Sequence, residues 1–167
     1  KDFHVIVSSA TMNTQVFSEY FDNAPIVSID TITYPVSVIY DPIPGGSTTM
    51  TESGSDALLS KICTTVNRIL DNEDDGGILI FLPGEKIIKD CVDRLYHCQF
   101  SKKLHILPLY GRLAKEEQER VFEEPPEGKK KVIVSTNIAE TSVTISDITS
   151  VIDSGLCKLN FYSPRTF

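Results

Sequence analysis

The densest chemistry in the chain lies between Ser135 and Ile145, Ser-Thr-Asn-Ile-Ala-Glu-Thr-Ser-Val-Thr-Ile. These eleven residues hold five hydroxyls, one amide and one carboxylate, directly after an apolar run. Hydroxyls and free backbone N–H groups where a strand turns into a helix form a neutral surface for phosphate oxygens. The plainer alternative is an irregular loop whose Ser and Thr compete for the backbone's own hydrogen bonds, and the density of polar groups favours the first reading. Gly111-Arg112 is a second candidate. A glycine lets the backbone approach a phosphate closely and a guanidinium suits phosphate oxygens, against the alternative of a solvated turn. Ser9-Ala10-Thr11 and Pro83-Gly84 each follow an apolar run and, taken alone, read as strand ends leading into helices.

Other polar groups carry less. Lys129-Lys130-Lys131 is the only basic run and reads as a solvated loop. His4, His97 and His105 lack the spacing of a metal site, and His105 reads as structural. Glu73-Asp74-Asp75 has no EF-hand spacing, and no GxxxxGK[ST] occurs, so these residues contain no P-loop.

The elements that must position these groups alternate. Strand-like runs are Phe3–Ser8, Ile26–Ile29, Val36–Tyr40, Ile78–Leu82, Leu104–Leu109, Lys131–Ser135 and Ser150–Asp153. Asn13 can cap a helix carrying Val16, Phe17, Tyr20 and Phe21 on one face, which Pro25 closes. Pro42–Gly54 is rich in Gly, Ser, Thr and Pro, and a mobile loop is expected there. Ser55 is expected to cap an amphipathic helix with Leu59, Ile62, Cys63, Val66, Ile69 and Leu70 on its inner face. A second such helix carries Ile87, Ile88, Cys91, Val92 and Leu95, and a more polar one spans Ala114–Glu123. Apolar strands alternating with helices predict an α/β fold with a parallel sheet covered by helices. Ligands on such sheets bind beyond the carboxyl ends of the strands, so the residues just after each strand are the candidates: Ser9-Ala10-Thr11, Pro83-Gly84, Gly111-Arg112 and Thr136-Asn137.

Composition sets the outer bounds. The 167 residues suit one domain, or one with part of another. At 41% hydrophobic and 23% charged residues, the composition is that of an ordinary globular protein. No apolar run reaches membrane-helix length, so no membrane partner is expected. Cys63, Cys91, Cys98 and Cys157 form no CxxC pair and read as reduced thiols of an intracellular protein. A net charge of −7 argues against a free-standing electrostatic binder of nucleic acid, but not against one that holds phosphates through main-chain groups.

In order along the chain, Val5–Asn13 (VIVSSATMN), Ile78–Ile88 (ILIFLPGEKII), Leu107–Glu123 (LPLYGRLAKEEQERVFE), Val132–Ile145 (VIVSTNIAETSVTI) and Val151–Lys158 (VIDSGLCK) resemble the motifs of the DEAH-box RNA helicases of superfamily 2. The resemblance covers essentially the whole chain, and its TNIAETS string is highly specific. It implies a RecA-like three-layer domain with a mostly parallel sheet flanked by helices. Residues 1–24 would be the end of a first RecA-like domain, 25–157 the second, and 158–167 the start of a β-hairpin. The P-loop and the acidic box of such a motor would lie upstream, and its arginine-finger motif downstream.

The resemblance also implies roles. Ser9, Thr11 and Ser142 would couple hydrolysis to movement. Pro83, Gly84, Gly111, Arg112, Thr136 and Asn137 would contact the RNA backbone; related helicases often have Ser where Arg112 stands. Phe122 would stack on adenine, and Thr144 and Ser146 fall where the ribose is contacted. Many relatives carry Asp at the position of Ser146; here Asp147 stands one place later. The implied cofactor is ATP with Mg2+, its metal ligands outside this chain. The implied partners are single-stranded RNA, the first RecA-like domain and C-terminal domains in cis, and a glycine-rich activator protein. The expected function is part of an ATP-dependent motor that translocates on RNA and unwinds it; the chain alone should be inactive. The alternative is a non-catalytic RecA-like module, which decay of the motif hydroxyls would betray. Thr136, Asn137, Ser142 and Thr144 are all present.

Overall fold

Two largely apolar stretches become the interior of a four-stranded sheet. The computed structural model describes residues 4–7, 13–29, 35–43, 51–72, 76–141, 145–156 and 158. The chain divides into two compact units, Lys1–Tyr40 and Asp41–Phe167.

The larger unit holds β1 (Gly77–Phe81), β2 (Leu104–Leu109), β3 (Lys130–Ser135) and β4 (Ile148–Asp153), in the order β2-β3-β1-β4. Every pairing is parallel. β1 and β3 are interior strands, and Ile78, Ile80, Val132, Ile133 and Val134 are fully buried. Burial on both faces is why these runs do not alternate in polarity. β4 is an edge strand and does alternate, with Ile148, Ser150 and Ile152 half-buried and the residues between them exposed. β2 is the other edge, where Pro108 can sit in a strand although it lacks an N–H.

Helices cover both faces. On one lie α2 (Glu52–Asp71) and α3 (Glu85–Tyr96). Leu58, Leu59, Ile62 and Val66 of α2, with Ile87, Ile88, Cys91 and Leu95 of α3, pack on Ile78, Ile80, Ile106, Val132 and Val134. Each such burial contributes about 1.5–3 kcal/mol before chain entropy is counted. The other face is smaller. Leu79, Leu107, Leu109 and Ile133 meet Val121 and Ala139. Val121 comes from a 3-10 turn, Arg120–Phe122, that follows α4 (Lys115–Glu119). Ala139 comes from the single turn α5 (Ile138–Thr141). Helices on both faces of a parallel sheet make the three-layer α/β domain expected from the sequence.

Three local expectations of this unit change. Helix α2 starts before Ser55: Thr51 is the cap, its Oγ1 accepting the Gly54 N–H at 3.2 Å. A capping hydroxyl three residues before an amide outweighs the loop-like composition around it. Of the expected Pro42–Gly54 loop, residues 44–50 lie outside those described. The polar helix after Gly111 is shorter than Ala114–Glu123 and tightens into the 3-10 turn. Finally, Lys130 and Lys131 are not a solvated loop but the first residues of β3, and Lys131 is 2% exposed. Its aliphatic stem packs in the core layer while its ammonium finds acceptors, the usual way a lysine is buried.

In the smaller unit α1 (Thr14–Tyr20) forms as expected, with Asn13 Oδ1 accepting the Val16 N–H at 3.4 Å. It ends where Asp22 and Asn23 take left-handed conformations, φ 54° and 60°. The Ala24 N–H returns to Ser18 O at 3.2 Å, and Ser18 Oγ donates to Ala24 O at 2.8 Å. No strand forms among described residues 4–7, 26–29 and 36–40, although strands were expected in all three segments. β-branched residues favour extended backbone, but a strand also needs an edge to pair with.

Candidate functional site

The parallel sheet sends every strand's carboxyl end to one edge, and the turns after β1, β2 and β3 meet there. The Leu82 N–H donates to Ser135 O at 2.9 Å, and the Thr136 N–H donates to Leu109 O at 3.1 Å. These bonds carry the ladder past the last strand residues, joining the Pro83-Gly84, Gly111-Arg112 and Thr136-Asn137 turns. Ser135 Oγ donates to Thr136 O at 2.7 Å, and the Ala139 N–H to the same carbonyl at 3.4 Å. Thr136 is half-buried and Asn137 exposed.

Two depressions share this edge. A groove of about 1370 Å³ runs past Pro83, Gly84, Glu85, Asp90 and Arg94. A dimple of about 300 Å³ lies between Tyr110, Gly111, Arg112 and Thr136. Glu85 and Lys158 line both.

Charges here are exposed or half-exposed rather than buried. The Arg112 side chain is 89% exposed, with Nη1 3.9 Å from Glu85 Oε2. Lys89 Nζ donates to Glu85 Oε1 at 2.7 Å and lies 5.8 Å from the centre of the Tyr110 ring. Chiefly through the Lys89 hydrogen bond, the Glu85 carboxyl titrates below the usual range. An exposed guanidinium resting 3.9 Å from a carboxylate can leave it for a stronger anion such as a phosphate.

The glycines at this edge are not explained by conformation. Gly84 is extended, with φ 178°, and a Cβ there would meet nothing within 4 Å. A Cβ at Gly111 would meet only Ile138 Cδ1 at 3.9 Å, an ordinary contact. Space in front of both backbones is open to a ligand.

Three further candidates sit elsewhere. Phe122 ends the 3-10 turn and is 57% exposed. Ser146, exposed, and Asp147, half-buried, precede β4 at the amino edge of the sheet. These two segments are joined by one ammonium. Lys131 Nζ donates to Val121 O at 3.0 Å and forms an ion pair with Asp147 Oδ2 at 2.8 Å. The Asp147 carbonyl in turn accepts the Gly77 N–H at 2.7 Å. Site candidates therefore form two groups: Pro83, Gly84, Gly111, Arg112, Thr136 and Asn137 on the carboxyl edge, and Phe122 with Ser146-Asp147 around Lys131. Ser9, Thr11, Ser142 and Thr144 lie outside the described residues.

Sequence reading missed Lys131 and Gly76. Lys131 could have been flagged as the first residue of a strand buried on both faces. For Gly76 no local signal exists: its Cβ would stand 2.5 Å from Thr149 Cβ, a residue more than seventy positions away.

Comparison with known proteins follows the same lines. Residues 60–166 match the model of the helicase conserved C-terminal domain. The chain is similar to the ATP-dependent RNA helicase HrpA of Borreliella burgdorferi, 51% identical over 165 residues, covering 99% of this chain and 19% of that protein. It is 38% identical over 167 residues to HrpA of Escherichia coli K12, covering 99% of this chain and 12% of that protein. Its fold is similar to the crystal structure of Escherichia coli DEAH/RHA helicase HrpB, with TM-score 0.76, 29% identity, and coverage of 94% of this chain and 19% of that one. The chain thus spans a fifth or less of the length of these relatives.

Proposed function

Because the chain belongs to the helicase conserved C-terminal domain family, we propose that it is the second RecA-like lobe of a DEAH-box motor that couples ATP hydrolysis to movement along single-stranded RNA. The observation that carries this reading is the meeting of Gly84, Gly111 and Thr136 at one sheet edge, with open space before both glycines. A motor that steps along RNA must grip phosphates without reading bases, and hydroxyls, main-chain amides and one loosely held guanidinium serve that purpose. They also reconcile an RNA partner with a net charge of −7.

The second group would serve the nucleotide. Phe122 offers an exposed ring for adenine, and Ser146 and Asp147, with Thr144, offer acceptors for ribose hydroxyls. Ser9, Thr11 and Ser142 would link the two tasks. Residues 1–24 are read as the end of a first RecA-like lobe, 25–157 as the second, and 158–167 as the start of a hairpin. The first lobe and C-terminal domains in cis, and a glycine-rich activator, are the proposed protein partners. ATP hydrolysis uses Mg2+ as phosphate counter-charge. The described residues contain no group of three His, Cys, Asp or Glu able to hold a metal ion.

The test uses a polypeptide of the relatives' length carrying this segment. Thr136→Ala should weaken RNA-stimulated hydrolysis and unwinding while leaving the apparent nucleotide KM near wild type. Phe122→Ala should raise that KM through loss of a stacking face worth about 1 kcal/mol. Identical defects in the two variants would defeat the division of labour.

A further inference from the structure

Lys131 is an expensive residue to bury, and no RNA or nucleotide contact in the family resemblance accounts for it. A lysine ammonium loses most of its hydration at 2% exposure, and only good acceptors offset that cost. The two acceptors come from two different segments outside β3. One is the carbonyl of Val121, itself fully buried and next to the exposed Phe122. The other is one carboxylate oxygen of Asp147. The cation thus spans the turn that presents an aromatic ring and the loop that presents a carboxylate.

We propose that Lys131 is a positioning residue for nucleoside binding, holding Phe122 and Asp147 at a fixed separation so that base and ribose are engaged together. This rests on the reading of those two residues as nucleoside contacts. The physical basis is preorganisation. Val121 packing and the Gly77–Asp147 backbone bond hold the two segments on the sheet separately, and Lys131 links one to the other. One hydrogen bond and one ion pair to a side chain anchored in the central sheet set the ring-bearing turn and the carboxylate relative to each other before ligand arrives. The ammonium pairs with Asp147 Oδ2, and Oδ1 is the oxygen assigned to a ribose hydroxyl. With the clamp removed, ring and carboxylate move independently, and each binding event must order them again.

The experiment measures steady-state hydrolysis in a polypeptide of the relatives' length, with ATP and with 2′,3′-dideoxy-ATP. Lys131→Met, close in shape but without charge or donors, should raise the ATP KM about tenfold with kcat at saturation within about twofold. It should also shrink the wild-type preference for ATP over the dideoxy nucleotide toward one, and Lys131→Arg should restore both. A Lys131→Met protein that melts earlier but keeps the wild-type KM and ribose preference overturns the proposal, leaving only a structural role. If Lys131→Met does not fold, Lys131→Gln carries the same two readouts, since it keeps a donor for Val121 O and loses the charge facing Asp147. Phe122→Ala run in parallel separates the two levels. A wild-type KM there removes the nucleoside reading itself, whereas a raised KM there beside an unchanged one in Lys131→Met removes the clamp alone.

Discussion

Thr136 donates its main-chain N–H to the carbonyl of Leu109 at 3.1 Å, so the hydroxyl-rich turn after β3 is tied to the end of β2 one residue before Tyr110. That bond fixes the distance between Thr136 and the Gly111-Arg112 turn. Leu82 donating to Ser135 does the same for the Pro83-Gly84 turn. Three turns distant in sequence act as one surface because the ladder extends past the strands into them.

The open space before Gly84 leads to the first expectation. Gly84→Ala should leave stability within about 0.5 kcal/mol of wild type, since the new methyl touches nothing. In a polypeptide of the relatives' length it should weaken single-stranded RNA binding several-fold, because the methyl occupies the ligand's path. Urea unfolding and RNA titration of the same preparation check both halves; RNA affinity equal to wild type would show the space to be incidental.

Gly76 is the opposite case. Its Cβ would stand 2.0 Å from Thr149 Cγ2 and 2.5 Å from Thr149 Cβ, closer than any rotamer change can relieve. Gly76→Ala should therefore push β4 from the sheet and cost about 1–3 kcal/mol in denaturant unfolding. Thr149→Ala, which keeps the Cβ, should recover little of that loss.

His105 stands opposite Lys131 in the β2–β3 register. Burial first, then the charges of Arg120, Lys129 and Lys131, hold its imidazole below the ordinary 6.5, with Glu123 opposing. A depressed histidine pKa means the unfolded chain binds the proton more tightly. Stability is thus complete above about pH 6.5 and declines as pH falls through that value toward the folded-state pKa. Melting temperatures between pH 7.5 and 5, on the scale of the ordinary imidazole titration, should fall more steeply for wild type than for His105→Gln. Parallel curves would remove His105 as the source.

The thiols give a chemical check. Burial pushes Cys91 up to about 12. Burial, then a hydrogen bond with Cys98, raises Cys63 to about 12. Because the thiolate is the reactive form, Cys63 and Cys91 should resist iodoacetamide at pH 8 in the folded chain and react in denaturant. Mass spectrometry of modified peptides reads this directly, and rapid native labelling of Cys91 would mean the α3 face opens far more readily than its packing implies.

Local sequence determined the elements and, through them, the edge. Largely apolar runs at Ile78–Leu82, Leu104–Leu109 and Lys131–Ser135, separated by helices with three- and four-residue apolar steps, admit little besides a covered parallel sheet. Once strands are parallel, residues just after them must share an edge, so Gly84, Gly111 and Thr136 were legible together before any coordinate was known. Tertiary structure decided whatever depends on a partner far along the chain. The runs at Ile26–Ile29 and Val36–Tyr40 are as β-branched as real strands, but propensity cannot supply an edge to pair with. Lys131 looked like one of three solvated lysines because its partners, a carbonyl at Val121 and a carboxylate at Asp147, belong to two other segments and meet its ammonium only in the folded sheet. Periodicity records which face a residue turns inward; it does not record which charge waits there.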